Sequence, residues 1–219
     1  MELKNKKIAF LGDSITEGHG TSGAEHHFVT LVSQMGECRE VKNYGIGGTR
    51  IARQLKPSDN PVWDKDFCAR VEELDEDSDI IVVFGGTNDF GHGDAPLGTP
   101  SDRSVYTFWG ACHYLMNRLL ERFPGKPIAI LTPLHRLNED NMKGDGYKAY
   151  NVANLKTYVD IIRACAEYYS LPILDLYAVS GIQPKVDVIR EKFCPDGLHP
   201  NDAGHVLLAE KILAFLKAM

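Results

Sequence analysis

The stretch Ile8-Ala9-Phe10-Leu11-Gly12-Asp13-Ser14-Ile15-Thr16-Glu17-Gly18 decides how the rest of the chain is read. It opens as an apolar run of strand length, breaks at Gly12, offers the Ser14 hydroxyl and ends at a second glycine. A strand that stops at a small residue and then presents a hydroxyl places that hydroxyl at the carboxyl edge of a sheet. In open α/β sheets that edge is where ligands bind. Ser14 is therefore a candidate nucleophile.

Working outward, further apolar runs occur around Val41, at Ile80 to Phe84, at Ile128 to Leu131 and at Ile173 to Leu176. Most do not alternate with polar residues, which predicts strands covered on both faces and hence a parallel sheet. Helical spacing separates them. Phe108, Trp109, Cys112, Leu115, Leu119 and Phe123 recur at intervals of three and four, as do Val152, Leu155, Val159, Ile162, Ala166 and Tyr169. Val206 to Leu216 predicts a final helix with Asn201 as its N-cap, and Ala24 to Met35 a further one. Strand and helix alternate, so the expectation is an α/β fold of three layers. No repeat, low-complexity tract or linker interrupts it, so residues 1–219 are expected to form a single domain. Lys56 to Asp66, Gly91 to Ser104 and Pro133 to Tyr147 are expected as long loops on the functional edge.

Composition narrows the function classes. With 43% hydrophobic residues, 219 residues can bury a core without help from disulfides. A formal net charge of -6 argues against a nucleic-acid partner. The five cysteines are odd in number and widely spread, as expected for reduced thiols in the cytoplasm. No stretch approaches membrane-spanning length, and the four-residue apolar run after the basic start is too short for a signal peptide. Oligomeric state is not readable.

A serine needs a base to take its proton and a carboxylate to orient that base. Gly12 precedes Ser14 at the nucleophile-elbow offset, but Thr16 stands where the second glycine would be, which disfavours the α/β-hydrolase reading. Of eight histidines, His199 stands apart, in Cys194-Pro195-Asp196-Gly197-Leu198-His199-Pro200 just before the last helix. Across a Pro-Asp-Gly turn, Asp196 can reach the imidazole Nδ1 and leave Nε2 facing outward. Acyl transfer also needs donors for an oxyanion. Two more strand ends offer them: Asn43-Tyr44-Gly45-Ile46-Gly47-Gly48-Thr49, and Gly85-Gly86-Thr87-Asn88-Asp89.

Gly12-Asp13-Ser14, Gly48, Asn88 and Asp196-x-x-His199, in that order and spanning almost the whole chain, resemble the SGNH (GDSL-type) hydrolase family. The resemblance implies a flavodoxin-like α/β/α sandwich around a five-stranded parallel sheet. It implies Ser14 as nucleophile, His199 as base and Asp196 as its orienter. It assigns the oxyanion hole to the Ser14 and Gly48 backbone N–H groups and the Asn88 side chain, with Gly47 as the alternative register. It implies no metal and no cofactor, and a small-molecule ester as partner. Asp13, Phe90 and His135 are expected near the substrate, with Trp63, Phe90 and Trp109 as candidates for an apolar wall. Polar loops suit a small acyl group on a polar alcohol such as a sugar. Lysophospholipase, thioesterase and acyltransferase activities would use the same residues. A flavodoxin-like module cradling phosphate or flavin at Gly12 to Thr16 is the reading from another class.

Overall fold

The computed structural model describes residues 1–219. Five strands, β1 (Lys7–Gly12), β2 (Glu40–Gly45), β3 (Ile80–Phe84), β4 (Ile128–Leu131) and β5 (Ile173–Leu174), form one sheet in the order β2-β1-β3-β4-β5. Every pairing is parallel. The longer helices are α2 (Phe28–Met35), α5 (Phe108–Arg122), α6 (Leu155–Tyr168) and α9 (Asp202–Ala218). Short helical segments are α1 (Ser14–Glu17), α3 (Phe67–Arg70), α4 (Thr87–Gly91), α7 (Leu176–Val179) and α8 (Asp187–Phe193). No helix is long and apolar enough to cross a membrane.

The unbroken apolar strands are explained by burial on both faces. Ile8, Phe10, Ile80 and Val82 point into one layer, against Phe28 and Val32 of α2 and Leu208 and Ile212 of α9. Ala9, Leu11, Ile81 and Val83 point into the other, against Leu115 of α5 and Val159 and Ile162 of α6. This is the three-layer α/β/α sandwich expected from the sequence. The weak signal around Val41 belongs to β2 at the edge of the sheet, where only one neighbour is paired and polar residues stay half wet.

Helix boundaries follow their caps. Thr107 caps α5, so the helix starts at Phe108, the first residue of the apolar repeat. Asn154 does the same for α6, and Asn201 caps α9 as expected. The helix expected over Ala24 to Met35 is instead a 3₁₀ turn (Ala24–His26) followed by α2. His27 between them is extended, with φ -61° and ψ 134°.

The sheet order reverses direction at β1, so the crossovers leaving β1 and β3 diverge and open a crevice at their carboxyl ends. Gly12 pairs with Gly45 on one side and Phe84 on the other, so three strands finish level. Helix α1 then lies directly on the end of β2. A Cβ at Gly45 would stand 2.2 Å from the Glu17 amide nitrogen and 2.6 Å from its Cα. Gly45→Ala is therefore expected to destabilise the fold by about 1–3 kcal/mol through overpacking against backbone. Urea unfolding midpoints measure this, and an unchanged midpoint would contradict the close approach.

Candidate active site

Ser14 is the first residue of α1, a position whose N–H has no acceptor inside the helix. Asp13 before it is the N-cap: its Oδ1 accepts the Ile15 N–H at 3.1 Å. That capping, together with the sharp exit from β1, turns the Ser14 hydroxyl toward His199, with Oγ and Nε2 3.0 Å apart. The two residues are 185 positions apart in sequence.

The turn carrying His199 is organised by one carboxylate. Asp196 Oδ1 accepts the Leu198 and His199 N–H groups at 2.8 and 2.7 Å, and Oδ2 faces His199 Nδ1 at 2.7 Å. Burial pushes the Asp196 carboxyl up, but the imidazole and the two amides outweigh it and hold the group at about 2. As a carboxylate it can only accept, so Nδ1 carries the proton and Nε2 of the neutral ring takes the Ser14 hydroxyl.

At the end of β2, the Gly47 N–H donates to Glu17 Oε2 at 2.7 Å. The Gly48 N–H has no acceptor in the protein. Gly48 sits at φ +75°, and a Cβ there would run into the Trp63 indole. Asn88, on α4 after β3, donates one Nδ2 hydrogen to the Thr49 carbonyl at 3.0 Å, leaving the other free. The next residue, Asp89, is buried and accepts the Ile51 and Ala52 N–H groups at 2.9 Å each. Thus α4 holds the glycine segment through two adjacent side chains.

Arg70 is the residue that pattern reading missed. It is almost wholly buried on α3, and its guanidinium donates to the Gly12 carbonyl at 3.1 Å, to Thr49 Oγ1 at 3.0 Å and to the Tyr44 carbonyl. It ties the ends of β1 and β2 to the glycine segment. A lone arginine in a short helix gives no sequence signal for this. Arg136 does similar work on the other side, donating to the Thr87 carbonyl at 3.2 Å and pairing with Asp145.

The three residues expected near the substrate make other contacts in the structure. Phe90 is wholly buried, edge-on to Tyr158 in the core, because it points inward from α4. Asp13 is buried as the cap of α1, and burial pushes its carboxyl up to about 7. His135 is turned away, paired with Glu139 at 2.7 Å and stacked on Tyr177. Trp109 also packs against the core, whereas Trp63 lines the cleft. Two further histidines have structural roles: His205 Nδ1 accepts the Phe28 N–H at 2.9 Å, and His113 bonds the Pro100 carbonyl. All five cysteines are free thiols, and burial pushes Cys194 up to about 12.

Ser14, Gly48, Asn88 and His199 all line one cavity of about 440 Å³. Each of the three long loops contributes to its walls, through Trp63, His92 and Tyr147.

Residues 10–207 match the GDSL-like lipase/acylhydrolase family. A GDSL lipase of Mycobacterium tuberculosis is 25% identical over 97% of this chain and 82% of its own length. A crystal structure from Lactobacillus plantarum is 29% identical, covers 98% of both chains and superposes with a TM-score of 0.83. A carbohydrate acetylesterase family member from Sinorhizobium meliloti shares the fold at 17% identity and a TM-score of 0.67, over 97% of this chain and 98% of that one. A parallel five-stranded sandwich whose family match runs from β1 into the last helix thus has one assignment: the chain belongs to the GDSL-like lipase/acylhydrolase family, hydrolases of ester bonds.

Proposed function

We propose that the protein is a serine esterase that removes a small acyl group from a polar alcohol. Ser14 is the nucleophile, His199 the general base and Asp196 its orienting carboxylate. The observation that carries this reading is the Ser14 Oγ to His199 Nε2 distance of 3.0 Å, within reach for direct proton transfer.

The steps follow from the hydrogen bonds. Ser14 Oγ attacks the ester carbonyl as its proton passes to His199 Nε2. The imidazolium that forms is stabilised by Asp196, which already accepts from Nδ1. Charge gathers on the former carbonyl oxygen. The Ser14 and Gly48 N–H groups and the free hydrogen on Asn88 Nδ2 are the donors proposed to meet it. The engagement of Gly47 by Glu17 favours Gly48 over Gly47 for this role. The C–O bond to the alcohol then breaks, and the alcohol leaves with the proton from His199. Water, deprotonated by the same imidazole, releases the acid and restores Ser14.

Substrate size and polarity follow from the cleft. Its apolar surface is limited to side chains such as Ile46, Val62 and Leu198, enough for a short acyl group. A long acyl chain would want a continuous apolar channel, and Glu17, His19, Asn60 and Asp145 break the walls up.

Ser14→Ala is expected to abolish turnover of p-nitrophenyl acetate, and labelling by a fluorophosphonate, with an unchanged circular dichroism spectrum; retained turnover would reject the nucleophile. Asn88→Ala is expected to lower kcat by ~10²–10³-fold, and a loss expressed only in KM would argue against an oxyanion role. The Asp196 carboxyl, held at about 2 against an ordinary 3.8, favours the folded state in its ionised form. That contribution is complete above about pH 4 and is lost as pH falls toward 2. The stability gap between wild type and Asp196→Asn in urea should therefore narrow from about pH 6 to about pH 3. A constant gap would refute the pairing as its source.

A further inference from the structure

A second cavity opens beside the catalytic cleft. It measures about 560 Å³ and shares Asn60, Trp63, His92 and Tyr147 with the cleft. The two are therefore one groove, with the Trp63 and His92 rings at the junction, their centroids 4.6 Å apart. We propose that this outer cavity is a saccharide subsite, which holds the alcohol half of the ester while the acyl group occupies the cleft. The proposal rests on the serine-esterase reading above and names the substrate class of that site.

The lining is polar where a sugar has hydroxyls. Lys56 and Asp59 offer unpaired charged groups and Asn60 a free amide donor, while Gln54, Ser58 and Asp94 are held in place by bonds within the protein. Two cations, Arg50 and Lys56, face two carboxylates, Asp59 and Asp94. This balance gives no net field to attract a phosphate or another polyanion. The charges also disfavour a long acyl chain, which would leave them desolvated without partners.

The lining is aromatic where a sugar has C–H faces. Trp63 is half-buried, and Tyr147 is 83% exposed. An exposed tyrosine ring costs hydration unless something flat and partly apolar covers it, and pyranose faces have that character. The floor is preorganised. Arg50 is 3% exposed and lies beneath Trp63, with its guanidinium 6.0 Å from the ring centroid. It is fixed by Ser58 Oγ at 2.9 Å and by His92 Nδ1. Ser58 and Asp64 close the loop on themselves through two bonds of 2.6 and 2.8 Å. A rigid floor and fixed aromatic junction lower the entropy lost on binding a ligand of defined shape.

The catalytic chemistry explains why binding here would matter. The alcohol departs with a proton from His199, so a leaving group held outside the cleft keeps its ester oxygen in place during transfer. Binding energy from this remote part of the substrate would then be used at the reacting carbon.

Lys56 and Asp59 line the outer cavity but not the catalytic cleft, and both are exposed with no side-chain hydrogen bond or ion pair to the protein. Their replacement leaves the fold intact. Wild type and the double variant Lys56→Ala/Asp59→Ala are compared on p-nitrophenyl acetate and on an O-acetylated xylotriose. The expected result is a fall of tenfold or more in kcat/KM on the saccharide, mostly through KM, with p-nitrophenyl acetate changed by less than about twofold, as expected for the loss of two ligand hydrogen bonds. An unchanged saccharide constant, an equal fall on both substrates, or a wild type that hydrolyses p-nitrophenyl acetate but not the acetylated saccharide overturns the subsite alone. Absence of Ser14-dependent turnover of p-nitrophenyl acetate overturns the esterase reading, and the subsite with it.

Discussion

Three parallel strands that end level need the segments that follow them held against those ends, and this constraint shapes everything at the carboxyl edge of the sheet. The solution is the buried guanidinium of Arg70, which takes the carbonyls of Gly12 and Tyr44 and the hydroxyl of Thr49 together. Burying such a cation is costly unless each donor finds a partner. Here the two terminal nitrogens find partners on the strand ends and on Thr49, while Nε has none, and β1, β2 and the glycine segment are held as one piece. Asp89 adds a second tie, from β3 side to the backbone after Thr49.

The other half of the cleft comes from the far end of the chain. Helices α2 and α9 pack together on one face of the sheet, and His205 of α9 accepts the first N–H of α2. Asn201 caps α9 and also donates to the Lys192 carbonyl, which fixes the turn that carries His199. The packing that buries Phe28, Leu208 and Ile212 is therefore the same packing that sets the imidazole against the Ser14 hydroxyl. Core and site are built by the same contacts here.

Local rules reached a long way. The apolar runs named the strands because burial on two faces demands them, and Asn201 marked where the last helix starts. The Asp196 turn was legible because three residues are enough to bring a carboxylate to an imidazole. Where local rules failed, an unseen neighbour was responsible. Phe90 follows Asn88 and Asp89 in a polar segment, yet the inward face of α4 carries it into the core beside Tyr158. His135 lies in a loop at the correct edge, but its ring is engaged by Glu139, four residues on in the same loop.

The amino-acid sequence by itself determined the layered α/β architecture and the family, and singled out the candidate serine, histidine and carboxylate, because those rest on apolar periodicity and on short motifs whose geometry is local. Tertiary structure alone decided which glycine N–H stays free. That depends on Glu17 reaching across from α1 to engage Gly47. It alone decided that Arg70 lies beneath the site and that Trp63, not Phe90 or Trp109, stands at its wall. The physical reason is common to all three: each depends on which side chain from a distant segment occupies the space beside a strand end, and no spacing along the chain encodes that.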